Sequence, residues 1–253
     1  MTIPEQESEL AAESAFDYGS SRFQAALKEN AHHYGEVRIL EATAEPGMTA
    51  LELGANRGVT TVALAHAVGP EGRVHAFEPV PEYHAALRAN LERNHIDNVT
   101  PHRLAMTDQK ARAPYFKHGE GSGIVQVEDA ERILVDTISV DAFFGGWELS
   151  VLDYLNMDCE GAELLVLQGA ADTLAKNAPR ILCEIHHDYL AQLGQSVRDI
   201  VRCLQGFGFQ VAPVQVEQLQ DEVDLEHCSH VFAVKNEGLP DMRHMGRISA
   251  ERR

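Results

Sequence analysis

The chain has 253 residues, 44% of them hydrophobic and 24% charged, which is the balance of a folded globular protein and excludes a disordered or fibrous chain. Lys plus Arg number 21 against 39 Asp plus Glu, a formal net charge of -18. A surface so acidic repels phosphate backbones, so a small-molecule or protein substrate is expected and a nucleic-acid partner is not.

Residues 1–44 read as a helical preamble, with Phe16, Phe23, Ala26, Leu27, Val37, Ile39 and Leu40 spaced among polar residues up to the stop at Glu45-Pro46-Gly47. The first residues are acidic and lack the apolar run of a secretion signal, and no segment approaches the length of a membrane span, so a cytoplasmic protein without membrane contact is expected. Short apolar segments then alternate with amphipathic ones: TALEL, GVTTVALAHAV, RVHAF, PEYHAALRANLERN and VTPHRLAM. This alternation, punctuated by Gly, Pro and Asn, is that of βαβ units feeding a parallel sheet. Between about 110 and 148 a period of two returns in APYFKH, SGIVQV and RILVDTISV, which predicts extra strands or a flap inserted between sheet elements. The α/β rhythm resumes with VLDYLNMD, a helix over about 161–176, the strand RILCEI, a helix over about 195–206, and two strands, GFQVAPV and SHVFAV. Residues 45–235 thus form the main domain and 236–253 a loose tail. Cys159, Cys183, Cys203 and Cys228 form no Cys-x-x-Cys pair and read as reduced thiols.

The first strand runs into Glu52-Leu53-Gly54-Ala55-Asn56-Arg57-Gly58, an acid followed by a glycine turn that opens a helix. Glycines at such a turn let a ligand approach the backbone closely. A dinucleotide-binding turn carries Gly where this chain has Asn56, and the Glu52 carboxylate repels a pyrophosphate while it suits a cationic aminoacyl group. Glu78 ends the next strand, 20 residues after Gly58, where a carboxylate accepts the hydroxyl protons of a ribose. The two acids bracket a nucleoside with a positive charge and no phosphate, which describes S-adenosylmethionine.

LELGANRG, FEPVP, LNMDCEGAELLVLQGA and ILCEIH, in that order, resemble the FkbM-type family of class I S-adenosylmethionine-dependent methyltransferases over roughly residues 48–235. The resemblance implies a Rossmann-like α/β fold with a seven-stranded sheet, six strands parallel and one antiparallel, and methyl transfer to a hydroxyl of a sugar, polyketide or other specialised metabolite. It also implies Glu52 and Gly54 at the methionine moiety, Glu78 at the ribose, and Ala105, Met106 and Asp108 beside the adenine.

Ligands of open α/β sheets bind outside the carboxyl ends of the strands. Asp158 ends one such strand, while Glu184 and His186 end the next and share a side if strand geometry persists that far. His186 is expected to act as general base, with Asp158 and Glu184 orienting it. The same three residues are also candidate ligands for a divalent metal that would lower the acceptor's pKa instead. Glu160 and Glu163 read as favourable charge at a helix N-terminus, His32 and His33 as a solvated helix end, and His227–His230 as a loop into the last strand. Tyr115, Phe116, Phe143, Phe144 and Trp147 are available to the core or to an acceptor pocket. A NAD-dependent oxidoreductase and an inactive nucleoside-binding subunit are the competing readings, and a homo-oligomer is compatible with both.

Overall fold

The computed structural model describes residues 15–217 and 223–240. The start of the preamble and the end of the expected tail lie outside the described residues. The preamble supplies α1 (Ser21–Glu29) and α2 (Ala31–Thr43), separated by Asn30, whose side chain accepts the His33 amide and caps α2. Then follow β1 (Thr49–Leu53), α3 (Val59–Val68), β2 (Arg73–Phe77), α4 (Pro81–Arg93) and β3 (Val99–His102). After an insertion come β7 (Tyr154–Met157), α6 (Glu163–Gln168), α7 (Ala171–Lys176), β8 (Arg180–Glu184), α8 (His187–Gln192), α9 (Val197–Gly206), β9 (Gln210–Val214) and β10 (His230–Val234).

The seven strands lie in the order β3-β2-β1-β7-β8-β10-β9. All neighbours pair in parallel except β10, which runs antiparallel to both β8 and β9. This is the sheet that the resemblance implies. Strand order reverses direction between β1 and β7, so a crevice opens there, outside the carboxyl ends of those two strands. The two faces of the sheet bury alternate residues. Leu51, Leu53, Phe77, Met157 and Cys183 pack on one face with residues of α6 and α9. Ala50, Tyr154, Leu182 and Phe232 pack on the other with Ile39 and Leu40 of α2 and Leu64 and Val68 of α3. The α2 helix therefore belongs to the sandwich.

The insertion contributes β4 (Ala105–Thr107), β5 (Ala111–Lys117), β6 (Glu131–Ser139) and α5 (Val140–Trp147). VTPHRLAM, read as one strand, divides into β3 in the large sheet and β4 in a second sheet of order β4-β6-β5. SGIVQV is not a strand beyond a single bridge from Gly123 to Phe116. Its chain is pressed onto the turn after β7, where a Cβ on Gly123 would crowd Glu160 Cβ and the Glu160 carbonyl oxygen at 2.6 Å, and close contact there replaces ladder pairing. The single helix expected over about 161–176 breaks into α6 and α7 at Gly169-Ala170, because Gly169 sits against the Thr107 backbone of β4.

Candidate active site

The turn after β1 is shaped by steric necessity. Gly54 has φ +85°, and a Cβ there would overlap the Asp158 carbonyl oxygen, so only glycine lets β1 and β7 end side by side. The amides of Gly54 and Ala55 both donate to the Phe77 carbonyl of β2, at 3.0 and 2.9 Å. Asn56 takes φ +45° and Gly58 φ +92° before α3 begins.

Glu52 is buried, and its carboxylate accepts the Thr60 hydroxyl at 2.7 Å and the Asn156 amide at 3.2 Å. Burial pushes its pKa up to about 7 against those two hydrogen bonds. Glu78 is buried as well; it accepts the Asn56 amide at 2.9 Å and the Val80 amide at 2.8 Å, which ties the glycine turn to the end of β2. Burial raises it to about 7 too. A carboxylate has about four acceptor positions, so Glu78 retains capacity for two ribose hydroxyls.

Two cavities meet at Gly54 and Asp158, which line both. One is an apolar slot of about 20 Å³ between Phe77, Leu104, Ala105, Met106, Tyr115 and Ile124. Ala105 and Met106 line this slot. Asp108, which the resemblance sets beside them, is exposed beyond β4, its backbone packed near Gly169. The second cavity, about 160 Å³, runs from Gly54, Asn56, Gly58 and Thr60 to a wall of Asp158, Glu160, Glu184, Glu36, His32 and His33. Asn56 Oδ1 and Asp158 Oδ1 are buried in it with no hydrogen-bond partner among the described residues. Orphaned acceptors at this density call for a ligand rich in donors or positive charge.

His186 stands behind this wall rather than on it. It follows β8 as the residue capping α8, so its side chain has left strand geometry, yet it still reaches the same cluster. Its Nε2 lies 3.0 Å from Glu160, 3.6 Å from Asp158 and 3.7 Å from Glu184, and its Nδ1 3.0 Å from Glu163. Burial lowers its pKa, but the Glu163 hydrogen bond and the charges of Glu160 and Glu184 prevail and raise it to about 9. Burial and the neighbouring Glu184 and Glu160 push Asp158 well above the usual carboxylate range.

Several readings of single residues change. Glu163 is fully buried and holds His186 as well as the Gly161 amide, so it does more than place charge at a helix end. His32 is no solvated helix end: its Nε2 lies 3.1 Å from Glu184, and that hydrogen bond raises its pKa to about 9 against burial. Glu184 is pushed up by burial, but His32, His230 and His186 outweigh this and bring it down to about 2. The His227–His230 segment divides, with His227 exposed beside Asp224 and His230 buried, its Nε2 3.3 Å from Glu36. The metal trio read from sequence divides in the same way. Donor atoms of Asp158, Glu160 and His186 converge in one group, and those of His32, Glu36, Glu184 and His230 in another. Glu36, Glu160, Glu163 and Asn156 are side chains of this cluster that strand-end reasoning did not place in it; the His32–Glu36 spacing of four on a helix was a signal for one of them.

A cleft with two strand-end carboxylates, free acceptors and no phosphate cradle suits a cationic nucleoside, and the doubly wound sheet around it is that of a class I S-adenosylmethionine-dependent methyltransferase. The family model described as Methyltransferase FkbM domain matches residues 52–211, and the chain belongs to that family. It is 27% identical over 202 residues to the 31-O-demethyl-FK506 methyltransferase FkbM of Streptomyces tacrolimicus, a match covering 67% of this chain and 75% of that one. A shorter stretch of 72 residues is 35% identical to a protein-L-isoaspartate O-methyltransferase of Triticum aestivum, covering 28% of this chain and 31% of that protein. Among solved structures, cofactor-bound Rv0187 from MTB shares the fold with a TM-score of 0.51 at 18% identity, over 87% of this chain and 92% of that one. Among the described residues no helix is long and apolar enough to cross a membrane.

Proposed function

We propose that the protein moves the methyl group of S-adenosylmethionine onto a hydroxyl oxygen of a small molecule such as a sugar, a polyketide or another specialised metabolite. The adenine lies in the apolar slot at Ala105 and Met106, the ribose hydroxyls donate to Glu78, and the aminoacyl group lies by the Gly54–Gly58 turn near Glu52. The observation that carries this reading is that the two cavities adjoin across Gly54 and Asp158, with acceptors that lack a hydrogen bond on the polar side. The sulfonium then faces the wall of Asp158, Glu160 and Glu184, and the negative field of the two glutamates favours binding of the cationic donor over its neutral thioether product, a binding effect that leaves the acceleration to alignment and base.

That same field makes a free alkoxide costly, so the acceptor's proton must leave as the methyl arrives. Asp158 and Glu160 stand between the cavity and His186, so the proton reaches the imidazole through them. As the structure stands His186 holds a proton of its own; the positive sulfonium brought into the cluster lowers its pKa and frees a nitrogen to accept. Alignment of acceptor oxygen and methyl carbon supplies most of the acceleration and the base the rest. The name of the Streptomyces tacrolimicus relative, which specifies a 31-O position, supports oxygen as the acceptor atom here.

The test is a set of hydroxylated sugars, catechols and macrolides incubated with S-adenosylmethionine carrying a ¹³C-methyl group. The expected product has an O-methyl ether carbon in its NMR spectrum, and His186→Gln lowers its rate by about 100-fold or more. Transfer only to nitrogen or carbon acceptors would overturn the reading.

A further inference from the structure

A second group of ligating side chains borders the methyl-donor cavity, and of its four members only Glu184 enters the methyl-transfer reading. His32 and Glu36 are four residues apart on α2, so both project from one face of the helix. Glu184 and His230 are directly paired across the antiparallel β8–β10 ladder, so their side chains project from one face of the sheet. The two pairs face each other. His32 Nε2 lies 3.1 Å from Glu184 Oε1 and 3.9 Å from Glu36 Oε2, and His230 Nε2 lies 3.3 Å from Glu36 Oε1. One donor atom from each of the four residues falls within 4.8 Å of all the others. Bonds of about 2.0–2.2 Å to a central ion put neighbouring ligands roughly 3.0–3.5 Å apart and opposite ones about 4.2 Å apart, so only a small contraction closes the group around an ion.

We propose that His32, Glu36, Glu184 and His230 bind one divalent transition-metal ion. Glu36 is buried and Glu184 half-buried, and side by side they need positive charge between them, which the metal ion supplies in place of the proton on His32. Two imidazoles and two carboxylates form a donor set that suits zinc, iron or cobalt better than magnesium or calcium. His230 has a hydrogen-bond partner on its outer nitrogen, which holds its Nε2 toward the centre, and the outer nitrogen of His32 faces a carboxylate at ion-pair distance. His230 Nδ1 lies 3.1 Å from the Ser229 hydroxyl, and His32 Nδ1 lies 3.8 Å from the Glu217 carboxylate. Outer partners of this kind are characteristic of metal-bound histidine. Proton-sharing pairs need neither the convergence of all four donors nor the orientation of both rings.

The backbone is adapted to bring the helix this close. Gly35 sits in the interior of α2, where glycine costs about 1 kcal/mol relative to alanine, and a Cβ there would overlap the Val216 carbonyl oxygen. That absent methyl lets α2 press against the end of β9 and delivers His32 and Glu36 to the sheet. His32, Glu36 and Glu184 also line the donor cavity, across from Asp158, so the open side of the ion faces the space where an acceptor hydroxyl would lie. Holding and acidifying that hydroxyl rests on the methyl-transfer reading; the site itself does not.

The experiment uses the full chain, stripped with a chelator and titrated with Co²⁺ while its visible absorption is followed, then with Zn²⁺ as competitor. One equivalent of Co²⁺ should bind with ligand-field bands that Zn²⁺ abolishes. His32→Gln, on a partly exposed side chain, should weaken binding by at least about 100-fold while far-UV circular dichroism and Tm show an intact fold, whereas His186→Gln should weaken it by under about tenfold. Absence of bands at millimolar Co²⁺, full binding by His32→Gln, or a loss in His186→Gln as large as that in His32→Gln overturns the assignment. S-adenosylhomocysteine titrated into the same samples separates the two readings, since metal uptake without nucleoside binding leaves the site standing and removes only its part in methyl transfer.

Discussion

Two regions of the central sheet carry histidines in opposite states. At the amino ends of the strands lies the larger cavity, about 710 Å³, lined by the Gly69–Gly72 turn, His75, Thr100 and Trp147. From its wall His75 stacks on His102, the last residue of β3, and both rings meet those of Phe143 and Trp147 edge to face. Burial and the neighbouring His75 take His102 down to about 4, so it is neutral at physiological pH. At the carboxyl ends the cavity is several times smaller, yet His32 and His186 are raised to about 9 by the hydrogen bonds they donate to carboxylates and by the neighbouring negative charge, which together outweigh burial. The same side chain answers to its neighbours, and the neighbours differ because strand-to-helix turns at the carboxyl end gather acids around a crevice. Volume alone points to the wrong end; unsatisfied acceptors and shifted carboxylates point to the right one.

The sharpest way to break this contrast is to fill a glycine at each end. Gly54 and Gly69 both have positive φ, but a Cβ on Gly69 meets nothing within 4 Å while one on Gly54 overlaps backbone. Gly69→Ala should cost only the strain of a backbone at φ +66° and ψ -177°, about 1–3 kcal/mol. Gly54→Ala adds overpacking of about 1–3 kcal/mol, so its Tm should fall by on the order of 10 °C and by clearly more than that of Gly69→Ala. Equal losses in the two melting curves would remove the steric account of the turn.

A smaller effect concerns Glu52. Its folded pKa, raised by burial to about 7, lies above the unfolded value, so its stabilising contribution is full below about pH 4.5 and is lost as pH rises through about 7. The ligand-free Glu52→Gln variant should therefore be more stable than the parent at pH 8 by on the order of 2–3 kcal/mol, with the gain gone near pH 4.5. Urea unfolding at both pH values measures it, and a gain independent of pH would contradict the burial of a titrating carboxylate.

The parallel sheet, the acids at the ends of β1 and β2 and the glycine turn were legible because each follows from a short local pattern: apolar runs, turn residues, and an acid at a fixed distance from both. Asp158 at a strand end was legible for the same reason, whereas its place beside Gly54 was not, since it depends on β7 pairing with β1. What stayed hidden depends on contacts between distant segments. Nothing in RLAMTD shows that Met106 turns into the slot while Asp108 turns out, because that is decided when β4 leaves the main sheet to pair with β6. The burial of His230 and its approach to Glu36 depend on how near α2 comes to β10, which a single glycine at position 35 controls. His186 was read correctly as part of the cluster but not as lying behind it, since the chain turns into α8 one residue after the strand pairing stops.

The central claim, that the carboxyl-end crevice and not the larger cavity grips the methyl donor through Glu78, is most directly tested by calorimetric titration of S-adenosylhomocysteine into three proteins. The parent should bind one equivalent, His75→Ala at the amino end should bind within about twofold of it, and Glu78→Ala should lose about 100-fold, the equivalent of two lost charge-assisted hydrogen bonds. Unchanged affinity in Glu78→Ala, or a loss in His75→Ala instead, would contradict the account.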